Sequence, residues 1–361
     1  MTKNISDFES AYKEIFFSDK DLALFKAFSE GLSNETGALL TKDLDIDNGD
    51  YLYLLMLGVL GFKYGWDHYP KEMTGRIQGI HRYEQVKNGS STPWLANQIG
   101  VLEKEGIPVM MTGNTALRYA FVPDVPRLMT GYDLAVRSSD YDRAAELLRD
   151  EIKASDKSDF RNRTINDLTM INLHKGVHDK RLFDEEEFWE TSESFGFQGH
   201  SVKVPSLENQ LISYLAVPYG NWLVREKNID RDYRFAGILQ MLQNKDIDVE
   251  RLISVAKKAC VNCQVRLQAS VMLSFADNLS GLVSNALAGD DEYFVYLQKL
   301  MKYNEHQSAL NEYHLMNTCF RSKEERCSFA GYFADTRDIH SAEDFRKYWK
   351  RRKQIRKGPK E

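Results

Sequence analysis

The sequence predicts an α/β (α+β) fold, a mixed-sheet core flanked by N- and C-terminal helical regions. Two observations carry this. Apolar residues recur at three- and four-residue steps from residue 6 to about 95, and again from Pro205 onward, the spacing of amphipathic helices. Between these regions, short apolar runs alternate with turn signals and brief helical patterns, as expected of strands joined through helices. At 361 residues the chain exceeds the ~250 that one core usually serves, so two or three domains are expected. The divisions read from the sequence are a helical region over 1–93, an α/β core over 94–205, a helical domain over 206–345 and a basic tail over 346–361.

The elements follow in order. Phe8, Tyr12, Ile15 and Phe16, then Leu22, Phe25, Ala27 and Phe28, mark two N-terminal helices. Tyr51–Phe62 is almost wholly apolar but shorter than the ~20 residues of a membrane span, and reads as a buried core helix. Lys87–Pro93 (KNGSSTP) is polar and turn-rich and predicts a break; Trp94 then opens a helix through Leu95, Ile99 and Leu102, stopped by Gly106 and Pro108. Ile107–Met111 predicts a buried strand, Gly113–Ala120 a turn opening into a helix, and Val122–Pro126 a loop. A strand is expected at Tyr132–Val136, and a helix starting in Ser138–Asp142 with Ala144, Ala145, Leu147 and Leu148 on its inner face. Two more strands, near Leu168–Leu173 and Ser201–Val204, bracket an acidic helix at Phe183–Trp189. The remainder reads as helices over Glu208–Leu215, Arg231–Gln243, Val249–Lys258, Arg266–Leu287 and Asp291–Lys302.

Composition excludes several classes. With 19 Phe, 18 Tyr and 5 Trp the chain has ample aromatic mass to bury, and with 8 Pro it is neither collagen-like nor of low complexity. The balance of 48 basic against 53 acidic residues gives a net charge of −5, which does not call for nucleic acid. The first residues lack a basic stretch followed by an apolar one, so a cytoplasmic protein without membrane attachment is expected. Cys260, Cys263, Cys319 and Cys327 are too few for a disulfide framework, and their spacing reads as buried thiols rather than a zinc site. Arg346–Lys360 holds nine Lys or Arg and no acid. It reads as a solvated terminus; a basic tail with Tyr348 and Trp349 can also dock on its own acidic body, an acidic partner or a nucleic acid.

One constellation carries chemistry. Glu105–Leu117 (EGIPVMMTGNTAL), Arg127–Val136 (RLMTGYDLAV) and Ser139–Leu148 (SDYDRAAELL) resemble, in order and spacing, the uncharacterised nucleotidyltransferase family of the DNA polymerase β superfamily. Ile171–His174 and Ile247–Ala256 extend the likeness, which covers about residues 95–275. The resemblance implies a nucleotidyltransferase-like core and metal-assisted transfer of a nucleoside monophosphate from an NTP to a small molecule or peptide. A glycine turn at a helix start lets backbone N–H groups approach a triphosphate, and this assigns nucleotide binding to Gly113, Asn114 and Thr115. Arg127, with its planar fork, is the candidate phosphate clamp or a partner of a nearby acid. Two Mg²⁺ ions in such a site are held by carboxylates at i and i+2 of one strand, which share a face, plus a third from a neighbouring strand. Asp133 is thereby the candidate metal ligand and catalytic carboxylate. His174 is a structural histidine or a general acid or base.

The departures from the pattern are as informative as the matches. Gly131 stands where the first aspartate is expected, Asn172 at the third carboxylate position, and Thr112 where the first block has Lys. One carboxylate among neutral neighbours is a poor ligand set for two hard cations. Asp124, Asp140 or Asp167 would have to enter the site to restore it. Two functions follow as expectations: a nucleotidyltransferase using Mg²⁺ and NTP, or a pseudoenzyme without cofactor that binds a substrate, peptide or protein partner.

Overall fold

The computed structural model describes residues 5–45, 51–123, 125–129, 131–149, 170–177, 182–216, 229–242, 247–259, 261–284 and 286–304. Asp124, Asp167, Cys260, Cys319, Cys327 and the basic tail lie outside them. The helices are α1 (Ile5–Phe16), α2 (Asp19–Glu30), α3 (Asn34–Thr41), α4 (Tyr51–Tyr64), α5 (Lys71–Lys104), α6 (Gly113–Ala116), α7 (Tyr141–Leu147), α8 (Glu185–Glu190), α9 (Leu207–Leu215), α10 (Ile229–Leu242), α11 (Val249–Lys258), α12 (Asn262–Met272) and α13 (Asp290–Asn304). The strands are β1 (Val109–Met111), β2 (Tyr132–Val136), β3 (Ile171–Lys175), β4 (Glu193–Phe197) and β5 (His200–Val204).

Among the described residues one five-stranded sheet forms in the order β3-β2-β1-β5-β4. β2 runs parallel to β3 and antiparallel to β1; β1 runs parallel to β5, and β4 and β5 form an antiparallel hairpin. This mixed sheet among helices is the α+β architecture expected. The two-residue period of a strand splits its side chains between two cores. Tyr132, Leu134, Val136, Ile171 and Leu173 face Leu95, Ile99 and Leu102 of α5 and Ala144 of α7. Met110 and Ala135 face a larger helical cluster that includes α2, α4, α9, α10 and α12.

Three local expectations are corrected. Lys87–Pro93 is not a break, and Trp94 does not open a helix, because α5 runs unbroken through both. The hydroxyls of Ser90 and Ser91 bond the Lys87 carbonyl, and that of Thr92 bonds the Asn88 carbonyl, so these turn-formers are satisfied inside the helix. Arg266–Leu287 is not one helix: α12 ends at Met272 and a 3₁₀ turn follows at Asp277–Leu282. Gly281 sits there so close to α11 that a Cβ would lie 2.8 Å from Val249 Cγ1. The third is an omission, strand β4, joined to β5 by Gln198 and Gly199 at φ of +49° and +87°.

The stop at Gly106 is as expected. Gly106 adopts φ +68°, its N–H bonds the Glu103 carbonyl at 2.9 Å and Ile107 N–H bonds the Leu102 carbonyl at 3.0 Å, closing the helix and turning the chain into β1.

Candidate functional site

β1 ends at Met111, and Thr112 leads into the four residues of α6. Gly113 adopts φ +53°, a left-handed conformation that a side chain disfavours, and this is why glycine stands at the turn. The turn is fixed from two sides. Thr112 N–H bonds the Asp133 carbonyl at 3.0 Å, and Thr115 Oγ1 accepts the Asp133 N–H at 2.7 Å, tying it to β2. From α9, Gln210 Nε2 donates to the Gly113 carbonyl at 3.0 Å and the Tyr214 hydroxyl donates to Asn114 Oδ1 at 2.8 Å. Beyond α6 the chain continues as a π-helical turn over Leu117–Phe121 rather than the regular helix expected.

The parallel register of β2 and β3 sets Asp133 opposite Asn172 and Ala135 opposite His174. Asp133 Oδ1 accepts from Asn172 Nδ2 at 3.1 Å and pairs with His174 Nε2 at 3.2 Å. A carboxylate oxygen only accepts, so both nitrogens donate. The pair is well shielded, with the His174 side chain 6% and the Asp133 side chain 15% exposed. Gly131 completes the group: a Cβ there would lie 2.9 Å from Asn172 Nδ2 and 3.3 Å from the Met170 carbonyl oxygen. The positions read as three carboxylate sites, 131, 133 and 172, therefore converge in space, and one carries a carboxylate.

Other assigned residues are placed differently. Thr115 is fully buried, and its hydroxyl works inside the fold. Arg127 is buried: it is 2% exposed, and a Cβ at Gly237 of α10 would lie 3.4 Å from both its terminal nitrogens. Asn88 of α5 holds its backbone, accepting its N–H and donating to its carbonyl at 3.0 Å each. The reason is topological, since the loop before β2 passes inward between α5 and α10. Asp140 is the N-cap of α7, beyond the far end of β2, and does not enter the site. At that far end Ser138, through its N–H and hydroxyl, holds the Glu185 carboxylate, and Trp189 Nε1 donates to the Gly176 carbonyl at 2.7 Å, docking α8 across β2 and β3.

Gln210, Tyr214 and Asn88 were missed by reasoning from sequence. Their signal was polar residues in apolar helical stretches: Asn209, Gln210, Ser213 and Tyr214 in LENQLISYL, and Asn88 within a run read as a turn.

Two carboxylate-held divalent cations do not fit this ligand set. Asp133 Oδ1 already accepts from two N–H groups, and among the described residues no group of three His, Cys, Asp or Glu is arranged to hold a metal ion. Thr112, at the expected Lys position, is buried with its hydroxyl lacking a hydrogen-bond partner among the described residues.

A family model described as "Uncharacterised nucleotidyltransferase" matches residues 55–271, more than half of the chain. No curated protein matches, and no solved structure does. No helix among the described residues is long and apolar enough to cross a membrane.

Proposed function

Since the chain belongs to the uncharacterised nucleotidyltransferase family, we propose that it is a nucleotidyltransferase-fold protein with a degenerate two-metal site, a pseudoenzyme for two-metal transfer. In this reading the chain binds a nucleotide at the Gly113–Asn114 turn, next to an acceptor site for a small molecule or peptide. One observation carries it: Asn172, bonded to Asp133 together with His174, stands where the reaction needs a third carboxylate, and Gly131 offers no side chain where it needs the first. The metals of such a reaction stabilise its attacking and leaving oxygens, and Asp133 is the one carboxylate among positions 131, 133 and 172 to hold them. What the chain's own residues provide is orientation. Gln210 and Tyr214 fix the turn, and the β2–β3 register fixes the Asp133 cluster. A cytoplasmic location is part of the proposal.

A second reading, a non-catalytic protein that binds a protein or peptide partner, has its own support. The N–H groups of Thr115 and Ala116 both bond the Thr112 carbonyl at 3.1 Å, leaving less of the turn to cradle phosphate than the sequence implied.

Calorimetric titration with ATP, GTP, CTP and UTP, each in Mg²⁺ and in EDTA, tests the proposal. The expected result is binding of at least one nucleotide with an affinity that chelation leaves unchanged. An affinity that rises tenfold or more with Mg²⁺, about 1.4 kcal/mol, overturns the degenerate site. Absence of binding by all four overturns the nucleotide and leaves the partner-binding reading.

A further inference from the structure

We infer that the side-chain nitrogens of Asn172 and His174 take the place of a divalent cation at Asp133, making this a cation-independent site that receives its ligand free of metal. This rests on the degenerate-site reading and not on whether a nucleotide binds. Residues two apart on a strand share a face, so Gly131 and Asp133 of one chain segment and Asn172 and His174 of β3 project together. The Asn172 amide nitrogen is 3.1 Å from Asp133 Oδ1, and a Cβ on Gly131 would lie 2.9 Å from that nitrogen. It therefore stands between the two side-chain positions that a shared cation would bridge.

The chemistry of the exchange is consistent. An sp² carboxylate oxygen directs its lone pairs along two in-plane lobes, and Oδ1 meets two N–H donors, from the amide and the imidazole. A cation at Oδ1 competes for the same electrons and meets the positive ends of two N–H dipoles. Mg²⁺, which demands near-octahedral oxygen ligands and sheds water reluctantly, gains little there. Gly131 and Asn172 also fit as a pair. A side chain at 131 would press on the Asn172 amide, so the absence of one makes room for the other. Gly131 is not among the residues at positive φ, so its need for glycine is this close approach and not backbone conformation.

The test uses no nucleotide. Wild-type protein, Asn172→Asp, the double variant Gly131→Asp with Asn172→Asp, and Asp133→Asn are melted in millimolar Mn²⁺ and in EDTA at matched ionic strength. Bound Mn²⁺ is counted by electron paramagnetic resonance. A cation that binds the folded state raises the melting temperature. Wild type is expected to melt alike in both and to bind no Mn²⁺. Asn172→Asp sets two carboxylates side by side, so it is expected to melt lower than wild type in EDTA and to recover with Mn²⁺. The double variant is expected to show a larger Mn²⁺-dependent rise and to bind the ion stoichiometrically. The inference is overturned if wild type binds one Mn²⁺ that Asp133→Asn abolishes, or if the Asp variants, folded by circular dichroism, are indifferent to Mn²⁺. If the double variant does not fold, the near-isosteric Asn172→Asp decides alone.

Discussion

Thr115 shows how one side chain can serve the site without touching a ligand. Its hydroxyl accepts the Asp133 N–H at 2.7 Å in a fully buried position. Thr115→Val keeps the shape and orphans that donor, which should cost about 1–3 kcal/mol in a chemical denaturation experiment; Thr115→Ser should retain most of the stability. His81 gives a second prediction at this scale. It is buried on α5, stacked on Phe62 at 4.8 Å, and burial holds its pKa below the ordinary 6.5. The folded protein therefore resists protonating it, while the unfolded chain does not. Its contribution is intact above about pH 6.5 and is lost as pH falls from there toward the lower folded value. A melting-temperature profile against pH should be flatter below about pH 6.5 in His81→Leu than in wild type. At this scale much of the site was legible. The grouping of Gly131, Asp133 and Asn172 came from the resemblance to the family, whose carboxylate positions they occupy, and not from their residue types. The burial of Arg127 did not, because Asn88 and Gly237, which enclose it, are remote in sequence and neither carries a charge to advertise the contact.

Helices and strands were legible where one periodicity ruled. β2 falls on Tyr132–Val136 and α11 on Val249–Lys258, as expected from uninterrupted patterns. α5 was misread because Gly89, Ser90, Ser91, Thr92 and Pro93 are all turn-formers, whereas what decides is whether their polar groups find partners, and the helix supplies them. β4 was missed because Gln198 is an unusual occupant of a left-handed turn position, so no Asn-Gly or Asp-Gly signal marked the hairpin. The exposed face of α5 yields a prediction. Gly75 and Gly79 lie in the helix interior, and a Cβ at either would meet nothing within 4 Å. Gly75→Ala and Gly79→Ala should each stabilise by about 0.5–1 kcal/mol, read by denaturant titration. Destabilisation instead would mean that this face is packed against something.

Across the whole molecule, the family match and the folded body do not coincide. The match spans 55–271, yet the helical core is continuous with elements on both sides of it. Phe25 of α2 packs edge-on against Phe235 of α10 at 5.3 Å, and Phe17 stacks on the same ring at 5.8 Å. Glu9 of α1 accepts the Tyr293 hydroxyl of α13 at 2.8 Å, and Phe8 meets Phe294 at 5.3 Å, so the two ends of the described chain bind each other. A fragment limited to 55–271 should lack fixed aromatic packing and lose near-ultraviolet circular dichroism while retaining helical far-ultraviolet signal. Retention of both signals would show that the flanks are dispensable. Composition could announce helical flanks but not this closure, because contacts between residues some 280 positions apart leave no periodic trace.

The arrangement at Asp133 can be interrogated directly by following the Asn172 side-chain amide resonances of isotope-labelled wild-type protein while Mn²⁺ is added. A paramagnetic ion at Asp133 would lie within a few ångströms of that amide, given the 3.1 Å hydrogen bond that joins them. With Asn172 and His174 holding the carboxylate, the two amide proton signals should persist through equimolar Mn²⁺. Their selective disappearance at substoichiometric Mn²⁺, reversed by EDTA, would place a cation at Asp133 and contradict a cation-independent site.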